Sequence, residues 1–398
     1  MDICIKRGAR QIGGSCVEIT ARNGKRLLVD LGLPLDAPDV SPKLVPGISH
    51  TGLCGLLLSH AHGDHYGLAH YLPPSVPVYA GAKTLKIIDA INCYRRRQQV
   101  KLPNTVAVKN FETFTIADTF RVKPHAVDHS AFDAYAYEIE ADGKRVFYTG
   151  DFRTHGRTGA LVENLIAHPP RNIDVLMMEG STLGRGDRAS PTEESLEARF
   201  MKEFQRTKGV TAVLASSTNI SRLVTLYKAA VKSGRQLVVP PHIGLITKEI
   251  NIPSIPNFRY FKSFRKWHET SKQKHAIAPA TILADPGRYV VFLKTSVIET
   301  MLGNGLFCPD AAFIYSMWSG YKEQDNMKAL LTRISQSGTR IASDIHTSGH
   351  ADTPTLKRFA KALNARRIVP IHTELPERYR ELFGSTVELH GDGETFIV

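Results

Sequence analysis

Histidine and aspartate side chains are concentrated in one short stretch of the sequence, directly after the apolar run at 56–58. Four residues of metal-binding type occur there within six positions: His60, His62, Asp64 and His65. Imidazole nitrogens and carboxylate oxygens are the atoms that bind zinc-like ions at catalytic sites. One ion can hardly use all four groups, so the spacing predicts two neighbouring metal ions. Histidines that are merely hydrogen-bonded beside a core strand are the alternative, and the density of this cluster argues against it.

Further candidate ligands occur where predicted strands end. Asp30 and Asp151 each close a strand pattern, and His129 precedes another. Strands hold their ends rigidly while loops present side chains, so active sites collect at such edges. A carboxylate is the natural bridge between two cations, which makes Asp151 the candidate for that role. Taken alone, His129 is more readily explained as a bystander than as a ligand.

The elements that must position these residues are of two kinds. Short strands joined by turns come first, with helices predicted over 66–72 and 82–100. Beyond residue 182 the pattern changes to alternating helices and strands, such as a helix over 192–206 and a strand over 210–215. This alternation predicts a parallel sheet in a separate α/β unit. The chain is predicted to end in a β-hairpin around residues 391–393.

Charge is distributed unevenly along the 398 residues, whose formal net charge is +13. Residues 201–300 contain 16 Lys and Arg against 5 Asp and Glu. A concentrated basic surface attracts polyanions such as nucleic acid, whereas a solvated basic face without a partner is the alternative. Within this block, residues 258–267 interleave aromatic side chains with cations. That composition fits an RNA-binding surface, but its three-residue aromatic spacing favours a helix core stripe.

The five cysteines are scattered and form no CxxC pair, which predicts a reducing cytoplasm rather than a disulfide framework. No apolar run approaches the roughly 18 residues of a membrane span. The N-terminal residues contain no apolar signal segment. We therefore expect a cytoplasmic protein without a membrane partner.

The order of these motifs resembles that of the metallo-β-lactamase fold and, within it, the β-CASP nucleases. The first motifs are His60-Ala61-His62-Gly63-Asp64-His65, the later His129, and Tyr148-Thr149-Gly150-Asp151. Residues 10–16 are similar to the opening of RNase J and of the mRNA 3′-end cleavage endonuclease. Three later segments resemble the β-CASP subgroup: Met178-Glu179-Gly180, Ser348-Gly349-His350 and Pro370-Ile371-His372.

The resemblance implies an α/β fold, a metallo-β-lactamase αββα sandwich with an inserted β-CASP α/β domain. The implied boundaries are 1–182 for the first part of the sandwich, 183–344 for the insertion and 345–398 for the return segment. It also implies two Zn²⁺ ions, with Mn²⁺ or Mg²⁺ as possible substitutes. One ion would be held by His60, His62 and His129, the other by Asp64, His65 and His372, and Asp151 would bridge them. Asp30 would support the ligand histidines by hydrogen bonding.

Further roles follow from the same resemblance. Glu179 would orient His350, which would contact the scissile phosphate or protonate the leaving oxygen. Asp64 is a weaker candidate for a catalytic base, because a metal-bound aspartate is a poor one. In the β-CASP subgroup a histidine at the last motif accompanies RNA cleavage and a valine accompanies DNA cleavage, so His372 indicates RNA.

Substrate contacts are expected in two loops. Ser217 and Asn219 lie between a predicted strand and helix, in a segment similar to one associated with the RNA 5′-phosphate in RNase J. An ordinary helix cap explains them equally well. Ser348 and Gly349 offer a second backbone contact for a phosphate.

The function that these expectations imply is a zinc-dependent ribonuclease acting on RNA, with single strands favoured, and leaving 5′-phosphate and 3′-hydroxyl ends. The alternatives are a nuclease on DNA or on both nucleic acids, a small-molecule metallo-hydrolase, and an RNA-binding subunit with a degenerate site. RNase J proteins usually continue into a C-terminal domain that helps dimerisation. This chain stops shortly after His372, so monomer and homodimer both remain open, as does endonucleolytic against 5′-exonucleolytic cleavage.

Overall fold

A computed structural model describes residues 1–37, 39–94, 99–251, 258–261, 276–342 and 345–398. They form two compact units: residues 1–190 with 349–398 (unit 1), and residues 191–348 (unit 2). The predicted boundary at 182 lies eight residues before this division, and that at 344 falls outside the described residues. The domain boundaries therefore stay predictions.

Unit 1 contains two sheets. Its strands are β1 (Asp2–Arg7), β2 (Cys16–Thr20), β3 (Arg26–Val29), β4 (Leu53–Leu57), β5 (Val78–Gly81), β6 (Thr105–Val108), β7 (Phe114–Ile116), β8 (Phe120–Val127), β9 (Ala134–Ala141), β10 (Lys144–Tyr148), β11 (Val175–Glu179), β19 (Arg367–Ile371) and β20 (Thr395–Ile397). The first sheet has the order β20-β1-β2-β3-β4-β5-β6, and the second has the order β19-β11-β10-β9-β8-β7. The helices of this unit are α1 (Gly63–Tyr66), α2 (Ala82–Tyr94), α3 (Ala160–Ala167), α10 (Thr353–Leu363) and α11 (Arg378–Phe383).

The core of unit 1 lies in layers set by the two-residue period of its strands. Val146 of β10 belongs to the apolar cluster between the two sheets, together with Val29 and Leu57 of the first sheet. The next residue, Phe147, points to the opposite face and packs with Phe359 of α10. Successive side chains of a strand face opposite sides of a sheet, so the second sheet is covered on both faces. The predicted αββα sandwich is confirmed.

Unit 2 is built on one parallel sheet, as the alternating pattern predicted. Its strands are β12 (Thr211–Leu214), β13 (Gln236–Val239), β14 (Arg259–Phe261), β15 (Ala276–Ile277), β16 (Tyr289–Leu293), β17 (Ala312–Tyr315) and β18 (Arg340–Ala342), in the order β15-β14-β13-β16-β12-β17-β18. Its helices are α4 (Glu193–Arg206), α5 (Ile220–Lys232), α6 (Pro241–Ile250), α7 (Pro279–Ala284), α8 (Thr295–Gly303) and α9 (Asp325–Gln336).

Several predicted elements differ from the structure. The helix over 66–72 is only partly confirmed: α1 ends at Tyr66, the amide of Leu68 donates to the carbonyl of Leu31, and a single 3₁₀ turn covers Ala69–Tyr71. The terminal hairpin is wrong, because β20 pairs with β1 instead. The helix predicted over 82–100 is described over Ala82–Tyr94, and residues 95–98 lie outside the described residues.

The predicted aromatic helix stripe over 258–267 is wrong in its described part. Phe258 is buried and Arg259–Phe261 form a strand that pairs with β13. The rest of that stretch, 262–267, lies outside the described residues.

Candidate metal centre

Strand ends of both sheets supply the candidate ligands. The stretch His60–His65 follows β4, and Asp30 follows β3, which runs parallel to β4. Four strands of the second sheet run in one direction: β8, β10, β11 and β19. Strands β8 and β10 are both antiparallel to β9, and β11 and β19 are parallel to β10. His129, Asp151, Glu179 and His372 lie at the carboxyl ends of these four strands. Sheet topology therefore gathers residues that are more than three hundred positions apart.

The first group of converging atoms consists of three imidazoles and one carboxylate: His60, His62, His129 and Asp151. The Nδ1 atom of His62 lies 3.1 Å from the Nε2 atoms of both His60 and His129. Two nitrogens bound to one tetrahedral zinc at about 2.0–2.1 Å would be about 3.3 Å apart, so the observed spacing suits a shared cation. Oδ2 of Asp151 lies 3.6 Å from His60 Nε2 and 3.7 Å from His129 Nε2.

The second group consists of Asp64, His65 and His372. Oδ2 of Asp64 lies 3.3 Å from Nε2 of His372 and 3.8 Å from Nε2 of His65. Asp151 also faces this group, with Oδ2 3.2 Å from His65 Nε2 and Oδ1 3.6 Å from His372 Nδ1. One carboxylate therefore adjoins both groups, in the position that a bridging ligand would need.

Asp151 tests whether these groups suit a metal. Both of its carboxylate oxygens are buried and accept no hydrogen bond from the described residues, and the same holds for Nε2 of His65. A buried carboxylate without donors is costly unless a cation compensates its charge. The donor set of nitrogens and oxygens is also the one that zinc takes at catalytic sites. The residues present therefore fit divalent metal ions.

Asp30 and Ser59 hold the histidines of the long motif. Oδ2 of Asp30 lies 2.8 Å from Nδ1 of His65, and Ser59 Oγ lies 2.9 Å from Nδ1 of His60. Ser59 also donates to Asp30 through its amide and its hydroxyl, each at 2.8 Å, and Tyr148 donates to Asp30 Oδ2 at 2.8 Å. With Nδ1 engaged, Nε2 of each ring is left to face the metal groups. The support expected from Asp30 is present, whereas Ser59 and Tyr148 were not predicted.

Two further supports come from distant parts of the chain. The carbonyl of Gly349 lies 2.6 Å from Nδ1 of His129, and Ser181 Oγ lies 2.8 Å from Nδ1 of His372. A Cβ at position 349 would lie 2.5 Å from Ser130 Oγ, so a side chain here would force Ser130 to shift. Gly349 was predicted as a phosphate contact, and its observed contact is with a candidate ligand.

Glu179 and His350 form a pair beside the same carboxylate. Oε2 of Glu179 lies 3.1 Å from Nδ1 of His350, and that nitrogen is 3.6 Å from Oδ2 of Asp151. Glu179 is 1% exposed and is fixed by the amide of Phe152, which donates to Oε1 at 3.0 Å. His350 is partly exposed, which leaves its ring accessible from solvent.

Charges and burial set the protonation of the cluster. Burial lowers the pKa of His62 to about 4, and burial with neighbouring imidazoles also lowers the pKa of His60 and His129. These rings are therefore neutral near pH 7, the form that binds metals. Burial acts to lower the pKa of His65 as well, but the carboxylates around it, Asp151 first, raise it above the usual value. A cation in this position would therefore replace a proton.

For the two carboxylates and His350, neighbouring charges outweigh burial and shift each pKa in the opposite direction. Burial alone would raise the pKa of Asp151 and Asp64, but the surrounding imidazoles hold both pKa values below the usual range. Burial alone would lower the pKa of His350, but Glu179 and then Asp151 raise it. The ring of His350 is thus held closer to its protonated form, next to two carboxylates.

Left-handed backbone occurs at two of these positions. Asp30 has φ = 57° and His372 has φ = 54°, values that residues other than glycine seldom adopt. Such conformations persist only where the surrounding structure determines them, and they cluster at functional sites.

The predicted phosphate contacts of unit 2 belong to the start of α5. Asn219 is buried and its Oδ1 accepts a hydrogen bond from the amide of Arg222 at 2.9 Å, so it caps the helix. Ser217 and Ser348 are partly buried residues of this unit, outside the metal groups of unit 1. A phosphate-binding role for the three residues stays a prediction.

Comparisons with known proteins agree with this geometry. Residues 25–214 match the model of the beta-lactamase superfamily domain, and residues 339–383 match the Zn-dependent metallo-hydrolase RNA specificity domain. An RNase J-like protein of Methanocaldococcus jannaschii is 28% identical over half of this chain, which spans 47% of that relative. A ribonuclease J of Helicobacter pylori is 22% identical over 92% of this chain, which spans 55% of that protein.

The fold is also found in a solved structure. A protein of unknown function from Enterococcus faecalis matches the whole chain with a TM-score of 0.84 at 21% identity, with 99% of that protein covered. Among the described residues, no helix combines the length and the apolar composition that crossing a bilayer requires. Residues 25–214 thus match the beta-lactamase superfamily domain, and the chain as a whole resembles the ribonuclease J proteins.

Proposed function

We propose that this chain is a zinc-dependent ribonuclease that hydrolyses RNA phosphodiester bonds and leaves 5′-phosphate and 3′-hydroxyl ends. One observation carries the proposal: Glu179, His350 and His372 converge on the carboxylate that both candidate metal groups share. The last two residues belong to the segment that matches an RNA specificity domain. The names of the ribonuclease J relatives support the same activity.

Seven side chains would hold the metal ions, and Asp151 adjoins both groups of them: His60, His62, His129, Asp64, His65, His372 and Asp151. Divalent cations in such a pair make hydroxide available near neutral pH and stabilise negative charge on phosphoryl oxygens. Zinc is proposed because nitrogen donors predominate, while Mn²⁺ or Mg²⁺ is the alternative.

His350 is the proposed proton donor. Glu179 holds the ring through Nδ1, and in the proposal Nε2 approaches a non-bridging oxygen or the leaving O3′ of a phosphodiester. When water attacks phosphorus, the P–O3′ bond breaks and O3′ takes up a proton. The phosphate stays on the downstream fragment. Asp64 retains the smaller proposed role of a base, and Ser217, Asn219, Ser348 and Gly349 that of substrate contacts.

Digestion of labelled nucleic acids tests the proposal. Single-stranded and double-stranded RNA and DNA of one sequence are incubated with the full chain, with and without a chelator. We expect cleavage of RNA, strongest on single strands, that is lost with chelator and restored by Zn²⁺ or Mn²⁺. The new 5′ ends should accept a kinase label only after phosphatase treatment. Labels at either end and in the interior distinguish endonucleolytic from 5′-exonucleolytic cleavage.

Matched variants make the assay specific. His62→Ala and His350→Ala should lose at least a hundredfold in rate, as removal of a metal ligand or a proton donor predicts. His168→Ala removes an exposed histidine at the end of α3 and should keep the wild-type rate. RNA cleavage that survives both the chelator and His62→Ala would refute the proposal, and cleavage of DNA alone would favour the DNA alternative.

The cellular location is part of the proposal. All five cysteines are free, and Cys4 and Cys16 are buried as thiols. Free buried thiols are typical of reducing compartments, which supports a cytoplasmic location.

A further inference from the structure

We propose that unit 2 contains a nucleobase-stacking site for single-stranded RNA, formed by Trp318 and Tyr321. The inference rests on RNA as the substrate of the proposed function. It adds a subsite that binds bases, in a unit whose described residues supply no candidate metal ligand.

Exposed aromatic rings are the first observation. Trp318 is 44% exposed and Tyr321 is 37% exposed, and among the described residues of unit 2 they are the aromatic side chains with the greatest exposure. Their ring centroids are 5.2 Å apart at an interplanar angle of 84°. Both rings are thus partly open to solvent, and an exposed aromatic ring is what an unpaired base stacks on.

The loop that carries Trp318 is held in place before any ligand binds. The amide of Ser316 donates to the carbonyl of Leu214 at 2.9 Å, and its hydroxyl donates to the carbonyl of Ile345 at 2.6 Å. The hydroxyl of Tyr315 donates to the carbonyl of Trp318 at 3.1 Å. A ring presented by a fixed backbone loses little freedom when it binds, which favours affinity.

A buried ion pair fixes the other side of the same loop. Arg222 is fully buried and donates to Ser316 Oγ, while its Nε and Nη2 lie 3.1 Å from the two carboxylate oxygens of Glu193. Since α4 carries Glu193 and α5 carries Arg222, two helices and the loop after β17 are joined at one point.

The residues at the carboxyl edge of the unit 2 sheet suit a polyanion that carries bases better than an apolar partner. We consider the five positions that follow each of β12, β13, β16 and β17. Together they contain seven hydroxyl side chains and no carboxylate, and their one charged side chain is Lys294. In a parallel sheet these positions share the carboxyl edge, where ligands bind in α/β folds. Unit 2 contains 21 Lys and Arg against 12 Asp and Glu. Lys322, next to Tyr321, has its Nζ 4.9 Å from the ring centroid of Tyr315.

A binding assay without cleavage tests the site. The full chain carries His62→Ala, to prevent turnover, and Trp267→Phe, which leaves Trp318 as the single tryptophan. Its fluorescence is titrated with a single-stranded RNA oligomer and with an abasic ribose-phosphate oligomer of the same length. We expect quenching and tight binding with the RNA, and weak binding without quenching with the abasic oligomer.

Substitutions separate stacking from simple apolar contact. For these variants binding is followed by fluorescence anisotropy of a dye-labelled RNA oligomer. Trp318→Ala and Tyr321→Ala should each weaken binding roughly five- to a hundredfold. Trp318→Phe should keep most of the affinity and Trp318→Leu should not. Phe111→Ala removes an exposed aromatic ring of unit 1 and should leave affinity unchanged. Thermal unfolding and circular dichroism of each variant show that the fold is kept.

The outcomes distinguish this site from the proposed function. Equal binding of the RNA and the abasic oligomer, or unchanged affinity in correctly folded Trp318→Ala, would overturn the stacking site. RNA binding with the expected quenching, in a protein whose wild type cleaves no RNA, would refute the nuclease activity and support the stacking site.

Discussion

Asp151 offers a test of two-metal binding at the scale of one residue. Its oxygens face both groups of candidate ligands, so Asp151→Asn should impair both sites, whereas His62 belongs to the first group only. We expect about two zinc ions per chain in the wild type, about one in His62→Ala and fewer than one in Asp151→Asn. Elemental analysis after dialysis measures these values, with His168→Ala as the control. Full zinc content in Asp151→Asn would exclude the bridging role.

Asp30 supports a graded prediction, because three side chains bond to it: Ser59, His65 and Tyr148. Asp30→Asn keeps the shape and tolerates a positive φ, but it loses the charge that orients His65. Zinc affinity, measured by competition with a coloured chelator, should fall about 10- to 100-fold. Tyr148→Phe removes one donor and should cost less.

A matched control for Tyr148 lies in the same sandwich. Tyr137 is also fully buried, and its hydroxyl donates to the carbonyl of Leu58 at 2.7 Å rather than to Asp30. Tyr137→Phe should therefore leave zinc affinity unchanged. An equal loss in both tyrosine variants would show that core stability, not support of the ligand, causes the effect.

At the scale of elements, a buried ion pair joins the loops that carry two candidate ligands. Asp128 precedes His129 and Arg153 follows Asp151 by two residues. Both members of the pair are fully buried, with Arg153 Nε 3.1 Å from Asp128 Oδ2. Their backbones are also joined, because the amide of Arg153 donates to the carbonyl of Asp128 at 2.7 Å. The pair thereby fixes the separation of the ends of β8 and β10.

Arg153→Met should leave a buried carboxylate without its cation and cost about 3–5 kcal/mol of unfolding free energy. Asp128→Asn combined with Arg153→Met removes the unpaired charge and should recover part of that loss. Urea unfolding monitored by hydrogen exchange in unit 1 measures both. A double variant as unstable as the sum of the single variants would show that the charges do not interact.

The elements also show what the sequence could predict. The ligands of the first motif are adjacent in sequence, and strand ends are recognisable, so His60–His65 and Asp151 could be named without a structure. His372 could be named only through the family resemblance of its motif. Ser59, Ser181 and the carbonyl of Gly349 were missed, because serines and glycines are common and their contacts with the rings depend on tertiary proximity. The prediction of a terminal hairpin was wrong for a similar reason. The last strand, β20, pairs with the edge of β1, and no local sequence pattern indicates that pairing.

At the scale of the whole molecule, the basic surplus predicts how RNA binding depends on salt. For single strands the logarithm of affinity should fall linearly with the logarithm of salt concentration, by about 0.7 per neutralised phosphate. Fluorescence anisotropy of a labelled oligomer bound to His62→Ala should give a slope of about −2 or steeper. Adding Trp318→Ala should lower affinity without changing the slope, since stacking releases no counterions. Salt-independent binding would contradict an electrostatic contribution from unit 2.

The fold class could be predicted more completely than the bounds of single elements, because the hydrophobic periodicity of strands and helices can be read from the sequence alone. The parallel sheet of unit 2 followed from alternating segments such as the helix over 192–206 and the strand over 210–215. The elements between Pro240 and Tyr321 carry weaker patterns, because several are short, and β15 has only two residues. Short strands acquire their structure mainly from their neighbours in the sheet.

The left-handed backbone at His372 limits the evolutionary paths open to this chain. In the β-CASP subgroup a valine at this motif accompanies DNA cleavage, yet a β-branched residue is strongly disfavoured at φ = 54°. The amide of His372 is moreover held by the carbonyl of Gly8 at 2.7 Å. Replacement of His372 by valine would therefore strain the backbone after β19. A lineage that replaced this histidine by valine would first have to acquire a backbone after β19 in which φ of residue 372 is negative.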